Sequence, residues 1–363
     1  MNVALLGLQH PHSALLLATF QELPEISRID LWDSDPSVVA NPPLPRCAKA
    51  TAPTSALDAV LAQPDLTFVM VCVRHDQSAA IALQVIAAGK HLLIEKPVGL
   101  NAVEVQRVQA AADRAGVVAA VLYLRRHHPC IVAARELVNS GALGAPLSIE
   151  SRFITTQVKF RDPASWLFNR AQAGGGILLW LGCHNLDMMQ YVAGEEIVEV
   201  SAMMATRSGE AIDVEDTVSL SFKFRSGAIG TFNAGYALAY SGSGYDNVAG
   251  YDCYFAYYAR HGKIVWPDLV PRLLIERPPR DGESPAREET FTMPPSQIYG
   301  ARAGETFFAQ FFAAMQGRAD SPAPLSAALQ TARIVEAAAE SSRQGRFMPV
   351  ASPVEIGGSA TTY

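Results

Sequence analysis

Between Asn2 and Leu122 the chain alternates short apolar runs with segments of helical period, and this alternation restricts its architecture more than any other feature. Asn2–Leu6, Arg28–Trp32, Thr67–Val73, His91–Ile94 and Val117–Leu122 read as strands. In Asn2–Leu6 and Thr67–Val73 the apolar residues run on without a polar face, as in parallel strands covered on both sides. Ser13–Leu23, Ser55–Ala62, Gln77–Ala88 and Ala102–Ala115 carry the helical pattern, with Gly89 and Gly116 just past two of the helix ends. Strand followed by helix followed by strand implies right-handed crossovers, hence an α/β fold with a doubly wound parallel sheet.

After Arg125 the pattern changes. A helix over Ile131–Ser140 is followed by Leu147–Thr155, Val198–Arg207, Thr217–Phe224, Ala228–Ala234 and Cys253–Ala259, several of which alternate with period two. That predicts a second α/β domain with a large, mostly antiparallel open sheet, helices covering one face. Helices at about Gly304–Gln316 and Leu325–Ser342 close it. The expected division is 1–124, 125–345 and a loosely held tail, 346–363. Pro278–Pro285 reads as a charged, proline-rich loop. The tyrosine-rich stretch Tyr236–Tyr258 reads as a substrate flap or an aromatic sheet edge.

Composition narrows the function. With 29 basic against 35 acidic residues the net charge is −6, which disfavours nucleic acid as a partner. No apolar run reaches the ~20 residues of a membrane span. The N-terminus enters NVALLGL without a basic region or a cleavage site, so no signal peptide is expected. Five scattered cysteines without a CxxC pair fit a reduced cytoplasm and argue against a zinc–cysteine site.

The turn after the first strand is where a dinucleotide fold receives pyrophosphate at a helix N-terminus. Gly7 stands at that turn, but Gln9 and His12 occupy the places of the second and third glycines. His10 and His12 read either as capping and packing residues or as phosphate donors. Asp33 closes the second strand, where a carboxylate accepts the ribose 2′-OH of NAD and repels the 2′-phosphate of NADP. NAD is therefore expected over NADP.

Two further segments carry chemistry. Glu95-Lys96-Pro97 follows the fourth strand, outside whose carboxyl end a ligand would bind. Gly174-Gly175-Gly176 precedes a helical stretch in which Trp180, His184 and Asp187 fall at i, i+4 and i+7 and share a face. The HxxD spacing could suggest a metal, but no further ligand cluster accompanies it, so none is expected. Arg125-Arg126-His127-His128 forms a local cationic group that would receive a carboxylate or polyhydroxylated substrate, or make salt bridges between domains.

This combination resembles the glucose–fructose oxidoreductase/inositol dehydrogenase (Gfo/Idh/MocA) family. The resemblance rests on Glu95-Lys96-Pro97, the AAGKH at Ala87–His91 and the GGG…GxHxxD run at Gly174–Asp187. Tyr123-Leu124-Arg125-Arg126, SGALG at Ser140–Gly144 and Glu215-Asp216-Thr217 are lesser matches. It implies a Rossmann domain, a second domain whose open sheet mediates homo-oligomers (a dimer or tetramer), and NAD(P)-linked oxidation or reduction of a sugar, polyol or related compound. It further implies that Lys96 bonds the reacting oxygen and His184 exchanges its proton, with Gly7, Gln9, His10, His12, Asp33, Val73, His75, Glu95, Lys96 and Pro97 near the cofactor. Many relatives carry an aspartate where this chain has Trp180. An indole there would offer a stacking face to substrate, with Arg125 and Asp187 beside it, and Asp187 would orient His184 or bond backbone. The competing expectations are an enzyme that retains NAD for transient oxidation leading to glycoside elimination or hydrolysis, and a ligand-binding protein without turnover.

Overall fold

Strand β1 (Asn2–Leu6) is apolar because it is the middle of a sheet covered on both faces. It pairs in parallel with β2 (Arg28–Trp32) and β3 (Leu66–Val71), Leu5 lying opposite Leu31 on one side and Met70 on the other. β4 (His91–Ile94) and β5 (Ala119–Val121) extend the sheet in the order β2-β1-β3-β4-β5. The computed structural model describes residues 1–239, 250–279 and 284–351. The crossovers are made by α1 (Ser13–Glu22), α2 (Pro36–Ala40), α3 (Leu57–Leu61), α4 (His75–Ala87) and α5 (Ala102–Ala115). Two local details differ from the sequence reading. α2, capped by Asp35, is too short to show a period, and α4 begins at His75 rather than Gln77. β1 ends at a tight turn. Gly7 has φ +96°, and a Cβ there would meet the Cys72 carbonyl oxygen at 2.1 Å, so the turn packs directly onto β3 and only glycine serves.

A one-turn 3₁₀ segment, Leu124–His127, and α6 (Pro129–Asn139) lead into the second sheet. This is formed by β6 (Pro146–Thr156), β7 (Ile197–Ala205), β8 (Thr217–Phe224), β9 (Ile229–Leu238), β10 (Tyr251–Ala259), β11 (Gly262–Trp266), β12 (Arg272–Glu276), β13 (Ala286–Thr290) and β14 (Met348–Pro349). Its order is β13-β12-β11-β10-β6-β9-β8-β7-β14, antiparallel except between β6 and β9. In β8 the residues alternate exposed and buried throughout, the signature of a sheet with one covered face. α7 (Arg170–Ala173), α8 (Cys183–Ala193) and the upper part of α10 (Leu325–Gln344) lie between the two sheets or over the second.

The division at residue 124 separates sheets, not cores. Phe307, Phe308, Phe311 and Phe312 of α9 (Ala301–Met315) join the core of the first sheet, where Phe20, Phe68 and Phe308 pack edge to face. The chain thus returns to brace the N-terminal layer. The tyrosine-rich stretch, the proline-rich loop and the tail fall partly on 240–249, 280–283 and 352–363, outside the described residues. Among the described residues no helix is long and apolar enough to cross a membrane, and no group of three metal-ligating side chains forms.

Candidate functional site

The site lies where the carboxyl ends of β1, β3 and β4 face the segment before α8. Lys96 follows β4 and joins Pro97 through a cis peptide bond. Its side chain is 0 % exposed. The ammonium donates to the Trp180 carbonyl oxygen at 2.8 Å and lies 3.4 Å from the centre of the Trp180 ring. Burial lowers the Lys96 pKa, since a charged amine loses its hydration there.

Trp180 belongs to a π-helical turn, Leu178–Gly182, that runs directly into α8. Such turns recur at functional sites because they re-aim side chains. The three glycines before it serve the fold more than a ligand. Gly174 ends α7 in the left-handed region. A Cβ on Gly176 would meet the Glu215 carbonyl oxygen at 1.8 Å, and Ile177 N–H donates to that oxygen. Glu215 caps the turn through Leu178 N–H, while Asp216 holds the backbone N–H groups of Arg207 and Ser208.

Trp180, His184 and Asp187 do face the N-terminal half together, but each meets a different residue. Trp180 covers Lys96. His184 packs edge to face on Tyr123, ring centroids 5.9 Å apart. Asp187 takes two hydrogen bonds from the Arg126 guanidinium, at 2.9 and 2.6 Å. The expectation that Asp187 orients His184 is therefore corrected: its carboxylate is committed to a buried ion pair. His184 keeps both ring nitrogens buried and without a hydrogen-bond partner among the described residues. Burial, then the charges of Lys96 and Arg125, push its pKa well below the usual histidine value. An unpaired buried polar atom costs ~1–3 kcal/mol, so a ring with two of them marks a place kept for something else.

A ring of aromatic and imidazole groups surrounds Trp180. His12 stacks on it at 5.5 Å, His10 stands at 5.6 Å, His75 at 5.3 Å and Trp166 at 6.4 Å. His12 Nδ1 bonds Glu95 Oε1 at 2.8 Å, and the Tyr299 hydroxyl lies 3.3 Å from the same nitrogen. Burial would raise the Glu95 pKa, but His12 and Lys96 hold it low. His12 N–H donates to His10 Nδ1 at 3.1 Å, which puts the His10 proton on Nε2, a buried atom with no partner among the described residues. His75 donates from Nδ1 to the Ala173 carbonyl at 2.8 Å, its Nε2 has no partner among the described residues, and burial lowers its pKa to about 3.

The cationic group at 125–128 dissolves into separate roles. Arg126 pairs with Asp187, Arg125 bonds Asn185, and burial lowers His127 and His128 to about 4, so both are neutral at pH 7. Trp166, Tyr299 and Arg161 went unread in the sequence. None lies in a patterned motif; Trp166 and Tyr299 reach the site from distant segments, and Arg161 lies on the second sheet beside Thr155 and Tyr236.

The turn after β1 suits a dinucleotide. Asp33, at the end of β2, accepts from Leu8 N–H at 2.8 Å and Asp35 N–H at 3.0 Å, which fixes its carboxylate beside the turn and leaves acceptor capacity. α1 has no side-chain cap at His12; His12 N–H and Ser13 N–H both turn back onto His10, so the positive end of the helix, rather than those two N–H groups, would face phosphate. The His10 Nε2–H is an unsatisfied donor. Gln9 is exposed on the turn, and Val73 is buried against Gly7. These residues fit NAD: the turn 7–12 would receive its pyrophosphate and Asp33 would accept from its ribose.

Residues 2–123 match the oxidoreductase family with an NAD-binding Rossmann fold, and residues 131–252 match the C-terminal domain of the same family. The chain belongs to the Gfo/Idh/MocA family. Myo-inositol 2-dehydrogenase of Thermotoga maritima is 29% identical to this Gfo/Idh/MocA protein over 191 residues, 52% of the chain and 54% of the relative. Levoglucosan dehydrogenase of Pseudarthrobacter phenanthrenivorans is 28% identical over 204 residues, 50% and 52% respectively. The chain thus spans about half the length of the curated relatives it matches. A solved levoglucosan dehydrogenase complex with NADH and L-sorbose superposes with TM-score 0.82 at 22% identity, covering 97% of this chain and 99% of the other, which shows a common fold.

Proposed function

We propose that this Gfo/Idh/MocA protein is an NAD-dependent oxidoreductase that acts on a CH–OH group, or the matching ketone, of a sugar, polyol or related small molecule, with Lys96 and His184 handling the proton. One observation carries the reading: a buried neutral imidazole, both nitrogens unbonded among the described residues, stands in the field of a buried lysine on the sheet end where a dinucleotide would lie. NAD, when bound, supplies the hydride acceptor or donor. The named relatives act on inositol and levoglucosan, which supports a polyhydroxylated substrate.

Lys96 is placed to bond the reacting oxygen, and its lowered pKa keeps the proton exchangeable. His184, neutral at working pH, accepts or returns that proton through a free ring nitrogen. Trp180 replaces a carboxylate in this corner, so the ammonium is held by an indole face and a carbonyl oxygen rather than by a charge. The ring also offers a stacking face to substrate. Asp33, already anchored to the turn, would select NAD over NADP by charge. Residues 1–124 would hold cofactor and 125–345 would hold substrate. We also place the protein in the cytoplasm, in keeping with its free cysteines, and as a dimer or tetramer through the open face of the second sheet, where Met203 and Ile229 are exposed.

The test is NADH formation, read at 340 nm, across inositols, anhydro-sugars and aldoses with NAD. Turnover that is lost in Lys96→Met, with NAD affinity kept in calorimetry, is the expected result. Turnover that survives in Lys96→Met would remove the proposed chemistry.

A further inference from the structure

Two guanidinium groups over the covered face of the second sheet, Arg125 and Arg161, have no acidic partner among the described residues. Arg125 donates from Nη1 to Asn185 Oδ1 at 2.8 Å, and its Cζ lies 4.9 Å from the centre of the Phe153 ring. Arg161 donates from Nη2 to Thr155 Oγ1 at 3.0 Å and from Nε to the Thr156 carbonyl at 3.2 Å, with its Cζ 5.1 Å from the centre of the Tyr236 ring. Both side chains are half-buried, and all these acceptors are neutral.

The nearby carboxylates are spent elsewhere. Asp187 pairs with Arg126, Glu95 with His12 and Asp252 with Arg152; Glu215 and Asp216, which act on Tyr236 beside Arg161, are held by Arg170 with the Leu178 N–H and by the Arg207 and Ser208 N–H groups respectively. A partly desolvated cation that bonds only neutral acceptors is unfavourable unless an anion joins it.

The register of the sheet puts the two cations together. Phe153 and Thr155 lie on the covered face of β6, two residues and thus ~7 Å apart. Their partners on β10 are Cys253 and Tyr251. Tyr251 packs on Phe153, ring centroids 5.4 Å apart, and its hydroxyl, raised by burial, is pulled back by both Arg161 and Arg125. Arg125 is also one of the charges acting on His184 and on Lys96. Both guanidinium groups therefore act on Tyr251, Arg125 links this cationic pair to His184, and no carboxylate stands at position 180 to oppose them.

We propose that the substrate carries a carboxylate and that Arg125 and Arg161 receive it, making the substrate class a hydroxy or keto acid of the sugar type. The inference rests on the oxidoreductase reading and adds the charge of the molecule it acts on. Charge-assisted pairing with a guanidinium is stronger and more directional than pairing with neutral groups, so about tenfold or more in affinity should separate an acid from its neutral counterpart.

The test uses the full chain saturated with NAD. Calorimetry compares D-gluconate and D-glucuronate with D-glucitol and D-glucose, at 50 and 500 mM NaCl (chosen conditions, roughly above and below an 8 Å Debye length). The acids should bind at least about tenfold more tightly at low salt, and the gap should narrow at high salt. Arg161→Gln and Arg125→Gln should bring the acids to the level of the neutral sugars, while Arg161→Lys keeps part of the preference. The salt comparison on the unaltered protein stands even where a variant folds poorly. Equal binding of acids and neutral sugars, or no binding of either acid, overturns the inference. NADH formation in the same samples judges the oxidoreductase reading separately: neutral polyols oxidised without acid preference leave that reading and remove the carboxylate, and acid bound without NADH formation does the reverse.

Discussion

The Lys96 ammonium sits 3.4 Å from the centre of the Trp180 ring and donates to the carbonyl oxygen of the same residue at 2.8 Å. One residue thus supplies both the π face and the dipole that hold a fully buried cation. The rings of His10, His12, His75 and Trp166 surround that indole, and the amine is held without a direct carboxylate bond among the described residues.

Placing a charge there should change the titration. In Trp180→Asp a carboxylate beside Lys96 favours the ammonium, so the Lys96 pKa rises. The alkaline limb of the kcat/KM profile should move up by about one pH unit or more, with preference shifting toward neutral polyols. A profile unmoved by the substitution would return Trp180 to a packing role.

Lys96→Ala should cut turnover by roughly 10²–10⁴-fold, the usual worth of a positioned acid or base. The melting temperature should not fall, because a buried cation is removed along with its desolvation cost. Turnover and a thermal melt on the same sample check both parts.

Asp33→Ala should weaken NAD more than NADP in calorimetry, by about tenfold for NAD as one charged hydrogen bond is lost. Its loss also frees Leu8 N–H, which loosens the turn for both nucleotides alike. The ratio between the two is therefore the informative quantity, and an unchanged ratio would refute the ribose role.

Asp187→Asn should act on stability. Breaking a buried ion pair leaves Arg126 uncompensated, at a cost of about 3–5 kcal/mol. Denaturant melts should show that loss, while kcat under folded conditions stays near its original value. A collapse of kcat without loss of stability would mean that Asp187 orients His184 after all.

Acid should unfold the protein early. His75 has a folded pKa of about 3, and His127 and His128 of about 4, all depressed below the unfolded value near 6.5. Below pH 6.5 the unfolded chain binds protons that the folded one refuses, so stability falls as pH drops and is flat above that point. Between pH 6.5 and 5 each such histidine costs about 2 kcal/mol. Melting temperatures across this range should fall steeply, and less steeply in His75→Asn.

The alternation of apolar runs with helical segments determined the first sheet, and period-two strands marked five of the nine strands of the second, because burial on two faces or on one leaves its mark directly in the order of residues; the short strands β11–β14 left no such mark. The motif Glu95-Lys96-Pro97 and the run to His184 were equally legible, since strand ends and helix starts sit at defined offsets along the chain. The tertiary structure alone decided who meets whom. That Asp187 faces Arg126 and leaves His184 without a partner among the described residues, that Trp166 and Tyr299 reach His10 and His12, and that Arg161 and Arg125 both act on Tyr251 all depend on how distant segments pack. A sequence fixes the face on which a side chain stands, but its partner depends on the register and approach of another element, and those are set by the packing of the whole.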